Sequence, residues 1–395
     1  MNTEIRVTAA QVTSVAIPMR GRLHHSDGTN SPWQARHVVE LHTDAGVTGL
    51  GEASPRVNPA DLAAAADCLV GQDPFQHERV RRLVQSDKFY RMEQANIAAA
   101  LQTACLDIQG KVVGRPVADL LGGRMRESVP VIAYLFRKTG EHGCPDVHDE
   151  ADVVAEAQRL VDRHGFRTLK YKAGAVGPAA DLAAAQALRR RFPSHLLRVD
   201  PNGAWSVATA LRVGRQCVEL DLEWLEDPTL GLEGMAEFAR RVPVPTATNM
   251  CCIQPREFAA TVRARAVNVM LLDPWYLGGP WSARQMAAAC HTFDVGVGIH
   301  AGGGSAETGI GLAAEAHLAA AIPGLVNAID TMTYELTDDI VTGDGWDCVD
   351  GSLAVPEKPG LGVELDRDRL DRYAAEYRRH ARPSSRDPHP AYPRY

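Results

Sequence analysis

Eight apolar runs of strand length, spread over residues 129–330 with helical patterning between them, constrain this chain more than any other feature. They read VPVIAYLF, FRTLKYK, LLRVD, LEWLED, VPTATN, VNVMLLD, VGVGIH and LVNAID. None exceeds eight residues, which suits strands buried on both faces. After Ser206, a residue type that caps helix N-termini, Val207, Leu211, Gly214 and Val218 fall at i, i+4, i+7 and i+11. After the fourth run Met235, Phe238, Ala239 and Val242 share one helical face. This alternation predicts an α/β chain built on a (β/α)7–8 barrel of TIM type. An open doubly wound sheet is the runner-up, and the lack of a Gly-rich phosphate loop after the first run counts against it.

The residues before the barrel have a different texture. EIRVTAAQVTSVAIPM is strand-like, RHVVELHTDAGVTGLGEA reads as a hairpin around Asp44-Ala45-Gly46, and two Ala/Leu-rich helices follow, the first after Pro59. Strands followed by helices make an α+β unit. The expected division is an N-terminal α+β domain over 1–127, the barrel over 128–334, and a segment over 335–395 that returns to the N-terminal domain and ends in a Pro-rich tail.

Bulk properties exclude several partners. A formal net charge of −7 without clustered Lys/Arg runs argues against nucleic acid. No stretch of about eighteen apolar residues is available for a membrane span, and the first residues carry no signal-type apolar core. The eight cysteines form no C-x-x-C and no zinc spacing; Cys251-Cys252 is read as buried packing. A reduced, cytoplasmic protein is expected.

In such barrels chemistry gathers where strands end. The residues there are Tyr134, Lys170 and Lys172, Asp200, Glu226, Asn249, Asp273 and His300. From Lys172 onward they are 28, 26, 23, 24 and 27 residues apart, about one βα unit each, so they should converge on one pocket. Singly, each has a bland reading: DPNG at 200–203 is a turn, EDP at 226–228 a strand terminator, Asn249 a turn amide. Together Asp200, Glu226 and Asn249 offer two carboxylates and an amide oxygen, a donor set for a hard octahedral cation such as Mg2+. Lys170 and Lys172, at i and i+2, point to one side of their strand. Their mutual repulsion should lower at least one pKa and fit that lysine for base catalysis. Asp273 bonded to His300 would fix the imidazole tautomer and leave one nitrogen for proton transfer.

These pieces resemble the enolase superfamily, and within its mandelate racemase/muconate lactonizing branch the glucarate dehydratase subgroup. LKYKAG looks like the K-x-K signature, RVDPNGAW and LEDP like the first two metal strands, and PTATNM like the third, with Asn as ligand. LLDPW and GIHAGGG match the Asp and His of the dyad, and VPEKPGLGVELD the C-terminal return. The resemblance implies a capping domain that sets specificity, and Mg2+-assisted removal of the proton α to a carboxylate. It implies Lys172 and His300 on opposite faces of that carbon, His300 oriented by Asp273, Lys170 as a second positive contact, and Asn202 as a donor to the reacting oxygens. Loss of a β-hydroxyl as water would then give a 2-keto-3-deoxy acid from glucarate or another acid sugar. Substrate contacts are expected from Asn30, Tyr134, Lys170, Asn202, Ala301 and Arg386. Asn30 stands where the glucarate-type pattern has His; Met332 and Gly302-Gly303-Gly304 also replace more polar residues. A racemase or epimerase with the same two bases, or a silent relative, are the rivals. A muconate-type cycloisomerase is disfavoured because Asp273 stands where that branch has lysine. A homo-oligomer is expected, since such capped barrels often associate.

Overall fold

The computed structural model of the chain describes residues 5–85, 90–325, 327–343 and 348–380. Its N-terminal part is an antiparallel sheet of three strands, β1 (Val7–Pro18), β2 (Trp33–Thr43) and β3 (Thr48–Ala53), in that order. The predicted hairpin joins β2 to β3, with Gly46 at φ +72° donating its N–H to the Thr43 carbonyl at 3.1 Å. Helix α1 (Pro59–Asp67) begins where Asn58 accepts from the Ala60 N–H and proline fills the first turn. Helix α2 (Met92–Val113) ends at Gly114 in the left-handed conformation. It is buried on every face from Ala95 to Gly110, because the sheet packs on one side and the barrel on the other. Its approach to β3 demands glycine: a Cβ on Gly51 would lie 2.1 Å from the Ala100 carbonyl oxygen.

The barrel sheet is parallel and runs in chain order through β4 (Ile132–Leu135), β5 (Thr168–Lys172), β6 (Leu196–Asp200), β7 (Trp224–Glu226), β8 (Thr246–Thr248), β9 (Val269–Leu272) and β10 (Gly296–Ile299). Ser206 caps its helix as predicted, accepting from the Thr209 N–H. Gly214 of that helix faces Phe238 and Val242 of the next, where a Cβ would sit 2.5 Å from the Phe238 ring.

Two runs depart from the expectation. The first is divided, with Ser128–Pro130 pairing antiparallel to Ser352–Ala354 while Ile132–Leu135 enters the barrel. The eighth does not form a strand of its own. Its last residues only bridge the neighbours: Ile329 N–H donates to Pro130, Ile132 N–H to Ile329, and Asp330 N–H to Ile299. Asn327 Nδ2 takes the Val297 carbonyl at 3.0 Å, so a side chain replaces ladder bonding there. The bridge still joins β10 to β4.

After Ser352–Ala354 the chain returns to the N-terminal domain. Leu361 N–H donates to Asp107 of α2 at 2.8 Å, and the Arg367–His380 helix lies on β1, with Arg367 paired to Glu40 at 2.6 Å. Beyond Thr331 the strand-and-helix pattern lapses in the sequence. Leu370, Tyr373 and Ala374 form the helix's buried stripe, but charged residues dominate the segment and hide the period. No helix among the described residues is long and apolar enough to cross a membrane.

Asp107 is the junction of these parts. Its carboxylate accepts from Leu50 N–H of β3, Leu361 N–H of the returning segment and the Lys111 ammonium. Asp107→Ala orphans two buried N–H groups and should cost roughly 3 kcal/mol or more. The urea unfolding midpoint should fall accordingly, and an unchanged midpoint would contradict this role.

Candidate active site

Strand alternation places the lysines. Leu169 and Tyr171 of β5 point outward, Tyr171 donating its hydroxyl to Asp181 of the following helix at 3.1 Å. Lys170 and Lys172 therefore point inward. Lys170 Nζ lies 2.8 and 2.7 Å from the two Glu226 oxygens, 2.6 Å from Asp330 and 3.6 Å from Asp200. Lys172 Nζ lies 2.5 Å from Asp200 Oδ2. The ring of Tyr134 has Lys170 Nζ 4.8 Å from its centroid, and burial keeps its phenol protonated, with a pKa well above the ordinary value.

At Lys170 the expected lowering does not occur. Burial alone would lower the Lys170 pKa, but Asp330 and Glu226 together outweigh it and hold the ammonium well above its ordinary range. Repulsion from Lys172 does not dominate at Lys170, because carboxylates surround its ammonium. Asp200 and Glu226 respond in opposite senses. Burial raises the Asp200 pKa, yet Lys172 and Lys170 overcome it and bring the group to about 2. Glu226 is held well above its usual value, first by burial and then by Asp200.

Asn249 owes its position to Asp227. That residue adopts φ +38° just after β7 and accepts from Thr248 Oγ1 at 2.5 Å and from the Asn249 N–H at 3.0 Å. The end of β8 is thereby tied to the end of β7, and the Asn249 side chain meets the cavity described below. Asn202, at φ +54°, donates its N–H to Asp200 Oδ1 at 2.8 Å and its Nδ2 to Met250 Sδ.

The donor set fits a hard cation. Asp200, Glu226 and Asn249 end three adjacent strands, and the ammonium of Lys170 already sits as a cation between both oxygens of Glu226. Asp330, which the sequence reading passed over, adds a third carboxylate. Glu226, Asp330 and His300 offer donor atoms all within 4.8 Å of one another. The signal for Asp330 was present: it ends the eighth run, as the other candidates end theirs. Lys170 and, at 3.5 Å, Arg198 both engage it.

Asp273 and His300 end β9 and β10. Asp273 Oδ2 accepts from His300 Nδ1 at 2.9 Å, while its other oxygen caps the short helix α3 (Pro274–Leu277) through the Trp275 and Tyr276 N–H groups. Helix capping fixes the carboxylate, and the carboxylate fixes the ring. Lys172, Asn202, Asn249 and His300 all line one cavity of about 250 Å3 with Tyr134. The N-terminal domain supplies further walls, among them Asp27, Arg56 and Met92, and Met332 completes the lining. Lys170 and Asp273 lie beneath the walls, buried. Asn30 and Ala301 are not among the lining residues: Asn30 is held by its N–H on Leu23, and Ala301 is fully buried behind His300. Arg386 lies outside the described residues.

Both parts of the chain match family models. Residues 7–122 match the mandelate racemase/muconate lactonizing enzyme N-terminal domain, and residues 152–369 match the enolase C-terminal domain-like family. A probable glucarate dehydratase from Streptomyces coelicolor is 37% identical over 94% of this chain and 91% of its own. Muconate cycloisomerase 1 from Rhodococcus opacus is 29% identical over 93% of this chain and 98% of its own. A crystal structure of an enolase from Thermobispora bispora, complexed with magnesium and formate, aligns with a TM-score of 0.91 at 40% identity, covering 97% of this chain and 95% of that one.

Burial and Asp200 raise the Glu226 pKa, so protons compete with a cation for that carboxylate. Mg2+ affinity should therefore rise as pH increases, with protons released on binding. Calorimetry in buffers of different ionisation enthalpy will report that release. Glu226→Gln should weaken Mg2+ by more than about tenfold, the scale that even outer-shell partners reach.

Proposed function

Because the chain belongs to the mandelate racemase/muconate lactonizing enzyme family of the enolase superfamily, we propose that it is a Mg2+-dependent hydro-lyase. Its substrate is an acid sugar and its product a 2-keto-3-deoxy acid. One observation carries this reading: Lys172 and His300, the latter held from beneath by Asp273, stand on the walls of a single small cavity above a nest of carboxylates. A primary amine and a tethered imidazole converging on one space suit a reaction with two proton transfers.

Asp200, Glu226 and Asn249 would hold Mg2+, which when bound supplies positive charge beside the substrate carboxylate. Lys170, whose pKa is held high by Asp330 and Glu226 against the effect of burial, stays an ammonium and favours the same developing negative charge. Lys172 takes the α-proton; the C–H electron pair moves toward the carboxylate carbon. His300 delivers a proton to the β-hydroxyl as the C–O bond breaks, releasing water and leaving an enol that ketonises. Asp273 stabilises the imidazolium form and keeps Nδ1 occupied, so that Nε2 faces the substrate. Asn202 and Tyr134 supply neutral polar contacts on the walls. The similarity to a probable glucarate dehydratase supports dehydration of an acid sugar. The same two groups would also serve racemisation or epimerisation, so product analysis is the deciding measurement.

Lys172→Ala should abolish exchange of the substrate α-proton with deuterium from solvent, followed by NMR. His300→Asn should slow formation of the 2-keto-3-deoxy acid by about 10²–10⁴-fold. Dehydration at the normal rate in His300→Asn would remove that residue from the acid role. A changed configuration at the α-carbon without keto acid would make the enzyme an epimerase.

A further inference from the structure

Lys172 is the last residue of β5, and a carboxylate from outside the strand holds the backbone on either side of it. Asp181 lies in the first turn of the helix Pro178–Arg191. An acidic residue at such a place ordinarily serves its own helix, through the dipole or as a cap. Here no side chain caps the helix, and the carboxylate faces β5 instead. Its Oδ1 accepts from the Tyr171 hydroxyl at 3.1 Å and its Oδ2 from the Gly174 N–H at 2.9 Å. Asp181 is only 1% exposed, a costly place for a carboxylate.

The two bonds straddle Lys172, one at the residue before it and one two residues after. The turn that follows is closed from further sides. Ala173 N–H donates to the Asp200 carbonyl at 2.9 Å. Gly174 has φ +86°, and a Cβ there would stand 2.6 Å from the Pro201 carbonyl oxygen and 3.1 Å from the Ser26 Cβ. Ser26 follows the strand Gly21–His25 of the N-terminal domain, which pairs through Gly21–Leu23 with Lys138–Gly140. His24 N–H donates to the Arg137 carbonyl at 2.9 Å, and Arg137 Nε donates to the Tyr171 hydroxyl at 3.2 Å. A closed circuit thus runs from this ribbon through Arg137, Tyr171, Asp181 and Gly174 and back to the ribbon.

We propose that Asp181 is the positioning residue for Lys172, fixing the amine on its side of the reacting carbon without touching substrate. None of its hydrogen bonds reaches Asp273 or His300, so its influence falls on one face alone. The inference rests on the two-base reading above and deepens it.

Two measurements on the full chain test it. The first needs no turnover. The chain has six lysines, so protein grown on lysine carrying 13C at the ε-carbon gives a countable NMR spectrum, and Lys172→Arg assigns the signal concerned. Asp181→Asn keeps the volume, but its amide can no longer accept from both donors. Tyr171→Phe removes one bond and spares the other. In both variants the Lys172 signal should shift while the Lys170 signal stays in place. The second follows deuterium from solvent into D-glucarate and L-idarate, epimers at C5, with Mg2+ present. The epimer whose exchange requires Lys172 should exchange about ten- to hundredfold more slowly in Asp181→Asn, the scale of a small misplacement of a reacting group. The epimer served by His300 should stay near the native rate. Equal slowing of both epimers, slowing of neither, or an unmoved Lys172 signal overturns the proposal. Absence of exchange in the native protein, with the Lys172 signal still dependent on Asp181, would defeat the acid-sugar reading alone.

Discussion

A column of buried charge runs through the barrel, and the rest of the molecule is arranged around it. Lys170 is fully buried among Glu226, Asp330 and Asp200; Lys172 rests on Asp200; Arg198 lies between Glu223 and Asp330, with its guanidinium 3.7 Å from the Trp224 ring centroid. Desolvating so many ions is costly, and buried ion pairs are weak grounds for stability. The column holds three cations against four carboxylates. That imbalance favours retaining a proton on Glu226 or admitting another cation. A barrel selected for stability alone would fill these layers with branched aliphatics. Charge at this depth is better understood as chemistry held in a low-dielectric place, where each interaction is stronger than in water.

The N-terminal domain takes part in that chemistry through the loop after His300. Arg36 donates to the Gly302 carbonyl and to Ser305 Oγ while paired to Glu52 at 2.6 Å. Gly302 N–H donates to Glu315 from the barrel side, and Trp275 Nε1 donates to the Glu52 carbonyl. Gly302, two residues beyond the imidazole, is therefore held from both domains, and Asp273 caps the helix that contains Trp275. Displacement of the capping sheet would be felt at His300. This connects domain packing to proton transfer without requiring any capping residue to react.

Much of the site is legible in the sequence alone. The regular spacing of polar residues at the ends of apolar runs identified Lys172, Asp200, Glu226, Asn249, Asp273 and His300 as neighbours, because a closed barrel brings every strand end to one rim. The same logic covers Asp330, which ends the eighth run just as the others end theirs, and was not applied to it. What holds the Lys170 ammonium was not legible, because strand spacing reveals which side chains point together, not what lies between them. The C-terminal helix escaped because its apolar stripe is narrow among many charges.

Local chemistry that depends only on chain neighbours was settled by the sequence: the caps at Asn58 and Ser206, the turn at Gly46, and the inward direction of Lys170 and Lys172. Only the tertiary structure decided which charges meet. Asp330 reaches Lys170 across 160 residues, and Arg56 reaches the His300 loop from another domain. The physical reason is that alternation and capping are short-range properties of the backbone. Electrostatic balance instead depends on distance and burial in three dimensions, which no spacing along the chain encodes.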